Sequence, residues 1–388
     1  MNKLIYLDHN ATTPTDERVV KAMAPYYNEL YGNPSSMYKL AKESEKAKEG
    51  AREKVAKLLG AKLEEIVFTG GGTESDNFAI KGVAFANKKK GNHIITSKIE
   101  HHAVLNTCKY LEKHGFEVSY IGVSTKGFVD LNELEDTIND KTILITVMHA
   151  NNEVGTIQPI QEISKIAREH NIYFHTDAVQ TVGKLSVDVN ELGVDLLSLS
   201  AHKFYGPKGV GALYIKEGTK IDSLLHGGHH EKNRRAGTEN VPGIVGLGKA
   251  SGIAMDEREE GERLKILRDR LEKGIVEKIQ DVIINGHPEK RLPGTLNLCV
   301  KGIKGESMIL QLDYHGIATS STSACMAGLE KPSHVLLAMG IPPEVAYGSL
   351  RFSLGRGNTE EDINKVLEVL PPIVRRLRAI SPYKKIKG

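Results

Sequence analysis

Two rhythms of apolar and polar positions run along the chain. Short apolar runs of strand length occur at 65–69, 93–97, 117–123, 143–148, 172–176, 195–200 and 210–215. Helical or polar segments separate most of them; Ala47, Ala51, Val55, Leu58 and Leu59 mark one helical face. Strands alternating with helices predict an α/β fold whose mostly parallel sheet is covered on both faces. From about 241 to 280 the pattern turns long, charged and helical, with no proline after Pro242. It reads as one helix connecting two domains. Strand-like runs return at 282–285, 294–300 and 351–354. A closing helix fits 361–370, with Thr359 as its N-cap and Ile363, Val366, Leu367 and Leu370 on one face. The second domain is therefore expected to be smaller and α+β. The chain has no internal repeat and no low-complexity segment.

Composition narrows the options. At 388 residues the chain exceeds the size at which one core usually keeps growing, which supports two domains. A net charge of +3 is too mild for a nucleic-acid binder. The basic clusters at 88–90 and 375–387 read as solvated surface. Cys108, Cys299 and Cys325 form neither a disulfide framework nor a zinc motif, and they suit a reducing, cytoplasmic setting. The opening MNKLIYLDHNATTP carries Asp8 in its only apolar run and does not read as a signal peptide. No apolar stretch approaches the roughly 20 residues of a membrane span.

The candidate chemistry sits at the ends of the strand patterns. Lys203 follows the run 195–200, at the sheet edge where open α/β folds bind ligands. A lysine partly desolvated there has a depressed pKa and can form a Schiff base. Asp177 ends another run; it is either a helix N-cap or a counter-ion for a pyridinium nitrogen, with Gln180 three residues on as a hydrogen-bond partner for a ring oxygen. Gly70-Gly71-Gly72-Thr73 opens a helix and is either a tight turn or a phosphate cradle. It matches neither GxGxxG nor GxxxxGK(S/T), which disfavours a dinucleotide or nucleoside triphosphate. His101 stands where a ring can stack on a flat aromatic group, or it is a structural histidine. Asn152 follows a further strand. Five polar strand ends then converge on one edge, and the convergence carries more weight than any single motif. Cys325 lies in a small, polar, mobile loop with no apolar pattern to bury it, a candidate nucleophile. Arg351, inside a strand pattern, calls for a carboxylate: an internal salt bridge or an amino-acid substrate.

The stretches YLDHNATTP, YGNPSS, GGGTESDN, EHHAV, HANNEVGTIQPI, HTDAVQTVGK, SLSAHKFYGPKGVGALY, HGGHHEKNRRAGTEN, SSTSACMAGLEKPSHVL and LRFSLGR, in that order over nearly the whole chain, resemble the cysteine desulfurases of the NifS/IscS branch. The resemblance implies a fold-type I pyridoxal 5'-phosphate (PLP) enzyme of the class-V aminotransferase kind, working as a homodimer. It implies a large PLP-binding domain over 14–258 with a seven-stranded sheet, and a small domain made of 1–13 with 259–388. The small domain would carry the cysteine loop, about 320–333. In this scheme Lys203 holds PLP, Asp177 pairs with the pyridine nitrogen and His101 stacks over the ring. Gln180 and Asn152 lie beside the ring oxygen and the substrate. Gly72, Thr73, Ser200 and His202 contact the phosphate. Thr238 reaches the phosphate in the other subunit, and Arg351 binds the substrate carboxylate. The thiolate of Cys325 takes sulfur from L-cysteine, leaving L-alanine and a persulfide.

The segment after Cys325 is similar to the long-loop group, which lets the persulfide swing toward an iron–sulfur scaffold of the IscU/NifU kind. The resemblance also implies Cys325 as a transient ligand of a nascent 2Fe–2S cluster. The ending LRAISPYKKIKG lacks the long acidic and aromatic tail of the IscS group. Two other readings compete. A related fold-type I aminotransferase or lyase, for example selenocysteine lyase-like, keeps Lys203 and Asp177 but gives Cys325 no role. A non-catalytic scaffold-binding partner has no use for Lys203.

Overall fold

The computed structural model describes residues 4–257, 259–321, 324–326 and 329–381, with side chains described outside 322–330. The strands are β1 (Ile5–Tyr6), β2 (Ile66–Thr69), β3 (His93–Ser97), β4 (Glu117–Ile121), β5 (Thr142–Thr146), β6 (Tyr173–Asp177), β7 (Leu196–Ser200), β8 (Gly211–Ile215), β9 (Val282–Asn285), β10 (Thr295–Val300), β11 (Ile317–Ala318), β12 (Ala324–Met326), β13 (Leu329–Lys331) and β14 (Ser349–Ser353).

A seven-stranded sheet runs in the order β2-β8-β7-β6-β5-β3-β4. Only β8 runs against its neighbours β2 and β7; the remaining pairs are parallel. The sequence explains this arrangement. Every residue of Thr142-Ile-Leu-Ile-Thr146 is buried, as a strand covered on both faces requires. At the edge, Glu117-Val-Ser-Tyr120 of β4 is exposed or only half-buried.

Helices cover both faces. The first, α1 (Lys39–Leu59), buries Ala51, Val55 and Leu59 from its expected face. The second, α2 (Gly72–Asn87), and the third, α3 (His102–Glu112), cover the opposite side through Phe78, Ile80, Val104 and Leu111.

The single long helix expected over 241–280 is two helices. α4 (Val241–Asp256) carries almost no charge and buries Ile244, Leu247 and Ala250 in the same core as α1. α5 (Glu260–Lys278) carries the charge and buries Leu267, Leu271 and Ile275 in a second core. The chain changes core between them, so one continuous helix cannot serve both.

That second core packs around an antiparallel sheet, β14-β10-β9. The parallel pair β1–β11 contributes Ile5 and Ile317 to it. Thr359 caps the closing helix as expected, in a reciprocal capping box with Asp362. This helix, α7 (Glu360–Ile380), runs past Leu370 through Pro371 and Pro372. Pro371 has no N–H for the carbonyl four residues back, and Lys278 Nζ donates to that carbonyl, Leu367 O, at 3.4 Å. Between α5 and α7 a short helix, α6 (His334–Ala338), follows the cysteine hairpin.

A strap, residues 8–13, crosses from the second core to the end of β7. Asp8 bridges Ser353, and Thr13 N donates to His202 O at 2.9 Å. Among the described residues no helix is long and apolar enough to cross a membrane.

Candidate active site

The carboxyl ends of β2, β3, β5, β6 and β7 open on one cleft of about 420 Å³. Gly72 and Thr73, His101, Asn152, Asp177 and Gln180, and Ser200, His202 and Lys203 line it from these five ends, with Arg351 from β14 beside them. The expected convergence is therefore present.

Lys203 sits on a short 3-10 turn after β7. Its Nζ donates to the carbonyls of Asn10 and Ala11, each at 2.7 Å. Desolvation, then repulsion from Arg351, lowers its pKa to about 8. Asp177 is buried at the end of β6. One carboxylate oxygen accepts the Val179 N–H at 2.9 Å, so it does cap the local turn while also lining the cleft. Burial raises its pKa and the nearby His101 opposes that rise. His101 caps α3, its Nδ1 accepting from Ala103 N at 3.1 Å, and its ring stays exposed to the cleft.

The glycine turn has the features of an anion cradle. Gly71 has φ 145° and ψ −178°, a region that only glycine occupies readily. A Cβ on Gly72 would stand 2.7 Å from Val179 Cγ2 and 3.6 Å from Ser200 Cβ. The free N–H groups of α2 begin here. Outside the turn lies a recess bordered by Ser200, His202 and Lys208. His202 accepts or donates across 3.1 Å to Thr12 Oγ1, and burial, then repulsion by Lys203, lowers its pKa to about 4.

Arg351 makes the internal salt bridge and also stands at the cleft. Its Nη2 pairs with Asp8 Oδ1 at 2.7 Å and its Nη1 donates to Asn152 O at 3.0 Å, yet the residue lines the cleft. Both ends of the Gln180 amide are engaged: Nε2 donates to Asn10 O and Oε1 accepts from Lys184 Nζ, each at 2.9 Å. Thr238 is not brought to this cleft within the chain. It lines a separate recess beside Gly70, Arg235 and Glu239, and Arg235 ties that loop to Glu74 of α2 at 2.9 Å.

The backbone around Cys325 forms a hairpin, β12 paired antiparallel with β13, where a plain loop was expected. The Cys325 side chain lies outside the described part of the structure. Both stems of the hairpin dock on the cleft. Ser320 exchanges backbone hydrogen bonds with Arg351 at 2.7 and 3.3 Å. Ser333 donates to Glu153, next to Asn152, and His334 Nε2 lies 3.0 Å from Glu100 O, next to His101. Cys108 and Cys299 are buried and free, and burial pushes the Cys299 thiol up to about 11.

Sequence reasoning passed over several residues of the site. Asn10 touches Lys203, Gln180, Lys184 and Asn152. Asp76, four positions into α2, is buried beside the cleft; its Oδ1 makes no hydrogen bond and lies 3.7 Å from His175 Nε2, and burial and then Asp177 raise its pKa. Its spacing from Gly72, one helical turn, was the available signal. For Lys184 the signal was its place one turn after Gln180.

The chain matches the aminotransferase class-V family over residues 5–366. It is 56% identical over 386 residues to a protein of Dictyoglomus turgidum named cysteine desulfurase IscS, covering 99% of this chain and 98% of that protein. It is 58% identical over 382 residues to one of the same name from Methanosarcina thermophila, covering 98% and 94%. A solved structure titled NifS-like protein superposes with a TM-score of 0.91 at 42% identity, covering 97% of this chain and all of that one. With its strand ends, its lysine and its seven-stranded sheet in this order, the chain belongs to the aminotransferase class-V family of fold-type I PLP enzymes.

Proposed function

We infer that this chain is a PLP-dependent cysteine desulfurase, which converts free L-cysteine to L-alanine and leaves the sulfur as a persulfide on Cys325. The observation that carries this reading is one cleft holding an amine of depressed pKa, a buried carboxylate and an anion cradle, with both stems of the Cys325 hairpin docked on its rim. The relatives' name, cysteine desulfurase, supports the same substrate and the removal of its sulfur.

The residues present fit the cofactor. Lys203 would hold its aldehyde, Asp177 its pyridine nitrogen and His101 one face of its ring. Gly72, Thr73, Ser200 and His202 would take the phosphate, in a turn that a side chain at Gly72 would crowd. Asn152 and Gln180 would flank the ring oxygen. When bound, PLP supplies the electron sink for bond cleavage next to the amino acid's α-carbon. The chain's own residues do the rest. Arg351 orients the substrate carboxylate, and its plane is fixed in advance by Asp8 and Asn152. Nζ of Lys203 supplies the proton that the departing carbon fragment needs. Cys325 attacks the substrate sulfur as a thiolate: an S–S bond forms, the C–S bond breaks, and the net products are L-alanine and the persulfide.

Thr238 serves the neighbouring cleft of a homodimer, which fits its separation from the cleft of its own chain. The large domain spans 14–258 and the small domain joins 1–13 to 259–388. The enzyme is cytoplasmic and delivers sulfur to an iron–sulfur scaffold of the IscU/NifU kind, with Cys325 a transient ligand of a 2Fe–2S cluster.

The test is a single turnover of the full protein with L-cysteine and no reductant. Alanine should form in step with a mass gain of one sulfur atom on the Cys325 peptide. Cys325→Ser should keep the yellow absorbance and form neither product. A keto acid in place of alanine, or turnover surviving in Cys325→Ser, would favour the aminotransferase reading instead.

A further inference from the structure

Asn10 is 4% exposed, and every polar group it has is engaged. Its N–H donates to Ser353 Oγ at 2.9 Å. Its Nδ2 donates to Thr295 Oγ1 at 2.9 Å and to Asn152 O at 3.1 Å. Its Oδ1 accepts from Lys184 Nζ at 3.2 Å. Its backbone carbonyl accepts from Gln180 Nε2 at 2.9 Å and from Lys203 Nζ at 2.7 Å, and Ala11 O accepts from Lys203 Nζ at 2.7 Å as well. No other residue described at the cleft joins both lysines, Gln180 and Asn152.

We propose that the strap 8–13 is the resting place of the Lys203 amine, and that Asn10 is the positioning residue that holds the strap's two carbonyls on it. Carbonyl oxygens accept from an ammonium more strongly than from a neutral amine, so this placement favours the charged form. It opposes the desolvation and the Arg351 charge that act on the same nitrogen. The charged groups facing Lys203 are Arg351 from β14, Asp177 at the end of β6, Asp8 in the strap, and the neighbouring His101, His202 and Lys184. Whenever the amine is free it rests on the strap carbonyls at the wall of the cleft, which favour its charged form. The side chain of Asn10 touches Lys203 only through this arrangement, because the contact atom is its backbone carbonyl.

Two substitutions should therefore act in opposite directions. Asn10→Ala removes the ties to Thr295 and Asn152, loosens the strap and lowers the pKa of Lys203. Asn10→Asp also gives up the donation to Asn152 O, but it keeps an acceptor for Lys184 and for a rotated Thr295 hydroxyl and adds a carboxylate beside both amines, whose charge outweighs that loss and raises the pKa. The measurement uses full-length protein freed of cofactor with hydroxylamine and labelled with 13C-lysine. The Lys203 Cε signal is assigned by its loss in Lys203→Arg and followed against pH. The expected midpoints move down by roughly 0.5–1 pH unit in Asn10→Ala and up by about as much in Asn10→Asp. Recapture of PLP at neutral pH should be faster in the first variant and slower in the second. Thr295→Ala, which leaves Asn10 in place and removes one anchor, should give a smaller downward shift. Unmoved midpoints, or shifts of the same sign in Asn10→Ala and Asn10→Asp, overturn the proposal. Only the recapture arm rests on Lys203 being the cofactor lysine, so a failure of that assignment leaves the midpoints to judge the strap alone.

Discussion

Glu100 is wholly buried beneath the cleft, where its carboxylate accepts from Ser97 Oγ at 2.5 Å and from Met148 N at 3.0 Å. Burial outweighs these hydrogen bonds and pushes its pKa from 4.5 up to about 8. A carboxyl raised by folding favours the native state fully below its unfolded pKa, and that contribution is lost as pH rises through the folded value. Glu100→Gln should therefore gain on the parent between about pH 4.5 and 8, by an amount on the order of a few kcal/mol, read as the difference in urea midpoints. At Arg351 the fork matters more than the charge. Arg351→Lys gives up one of two parallel charged hydrogen bonds, roughly 1.5–3 kcal/mol, so KM for L-cysteine should rise about ten- to a hundredfold with kcat less affected. Lys203, Asp177 and Arg351 were legible in the sequence because a charge at or in a buried strand needs a reason. Asn10 was not, because its meaning lies in Thr295, Asn152 and Lys203, which stand 285, 142 and 193 positions away.

At the scale of elements, the turn between β2 and α2 is the most demanding piece of backbone at the cleft. Gly71→Ala places a side chain at φ 145°, at a strain of roughly 1–3 kcal/mol. The expected result is a lower thermal midpoint, together with weaker retention of PLP on dialysis. Retention equal to the parent's would argue against the cradle. The strands could be read from the chain because fully buried parallel strands are apolar throughout. The break between α4 and α5 could not be read from helical periodicity, which continues across it. The change from apolar Val241–Asp256 to charged Glu260–Lys278 was the signal, since only the first is buried on most sides. Likewise the closing helix was read only over 361–370, but Ile373 and Val374, beyond Pro371 and Pro372, are buried in the second core and carry the helix on.

The molecule as a whole brings two cores together at the cleft. The strap and Arg351 come from the second core, and the strand ends come from the first. The cysteine hairpin leaves the second core beside Arg351 and returns through Ser333 to Glu153. The fold class was written in the order of the elements, whereas the position of Thr238 needed three dimensions. If Thr238 completes the cleft of a second subunit, subunits carrying Lys203→Ala and subunits carrying Thr238→Ala should restore one intact cleft per mixed dimer. Refolding equal amounts of the two together should recover tight PLP retention in about a quarter of all sites, one of the two in each mixed dimer. No recovery would return Thr238 to its own chain. The expectations for PLP retention and for turnover of L-cysteine depend on a single covalent attachment. Borohydride reduction of the PLP-loaded protein, followed by peptide mapping, should place the reduced link on Lys203 and abolish turnover of L-cysteine. A label on another lysine such as Lys184, or none at all, would contradict the account.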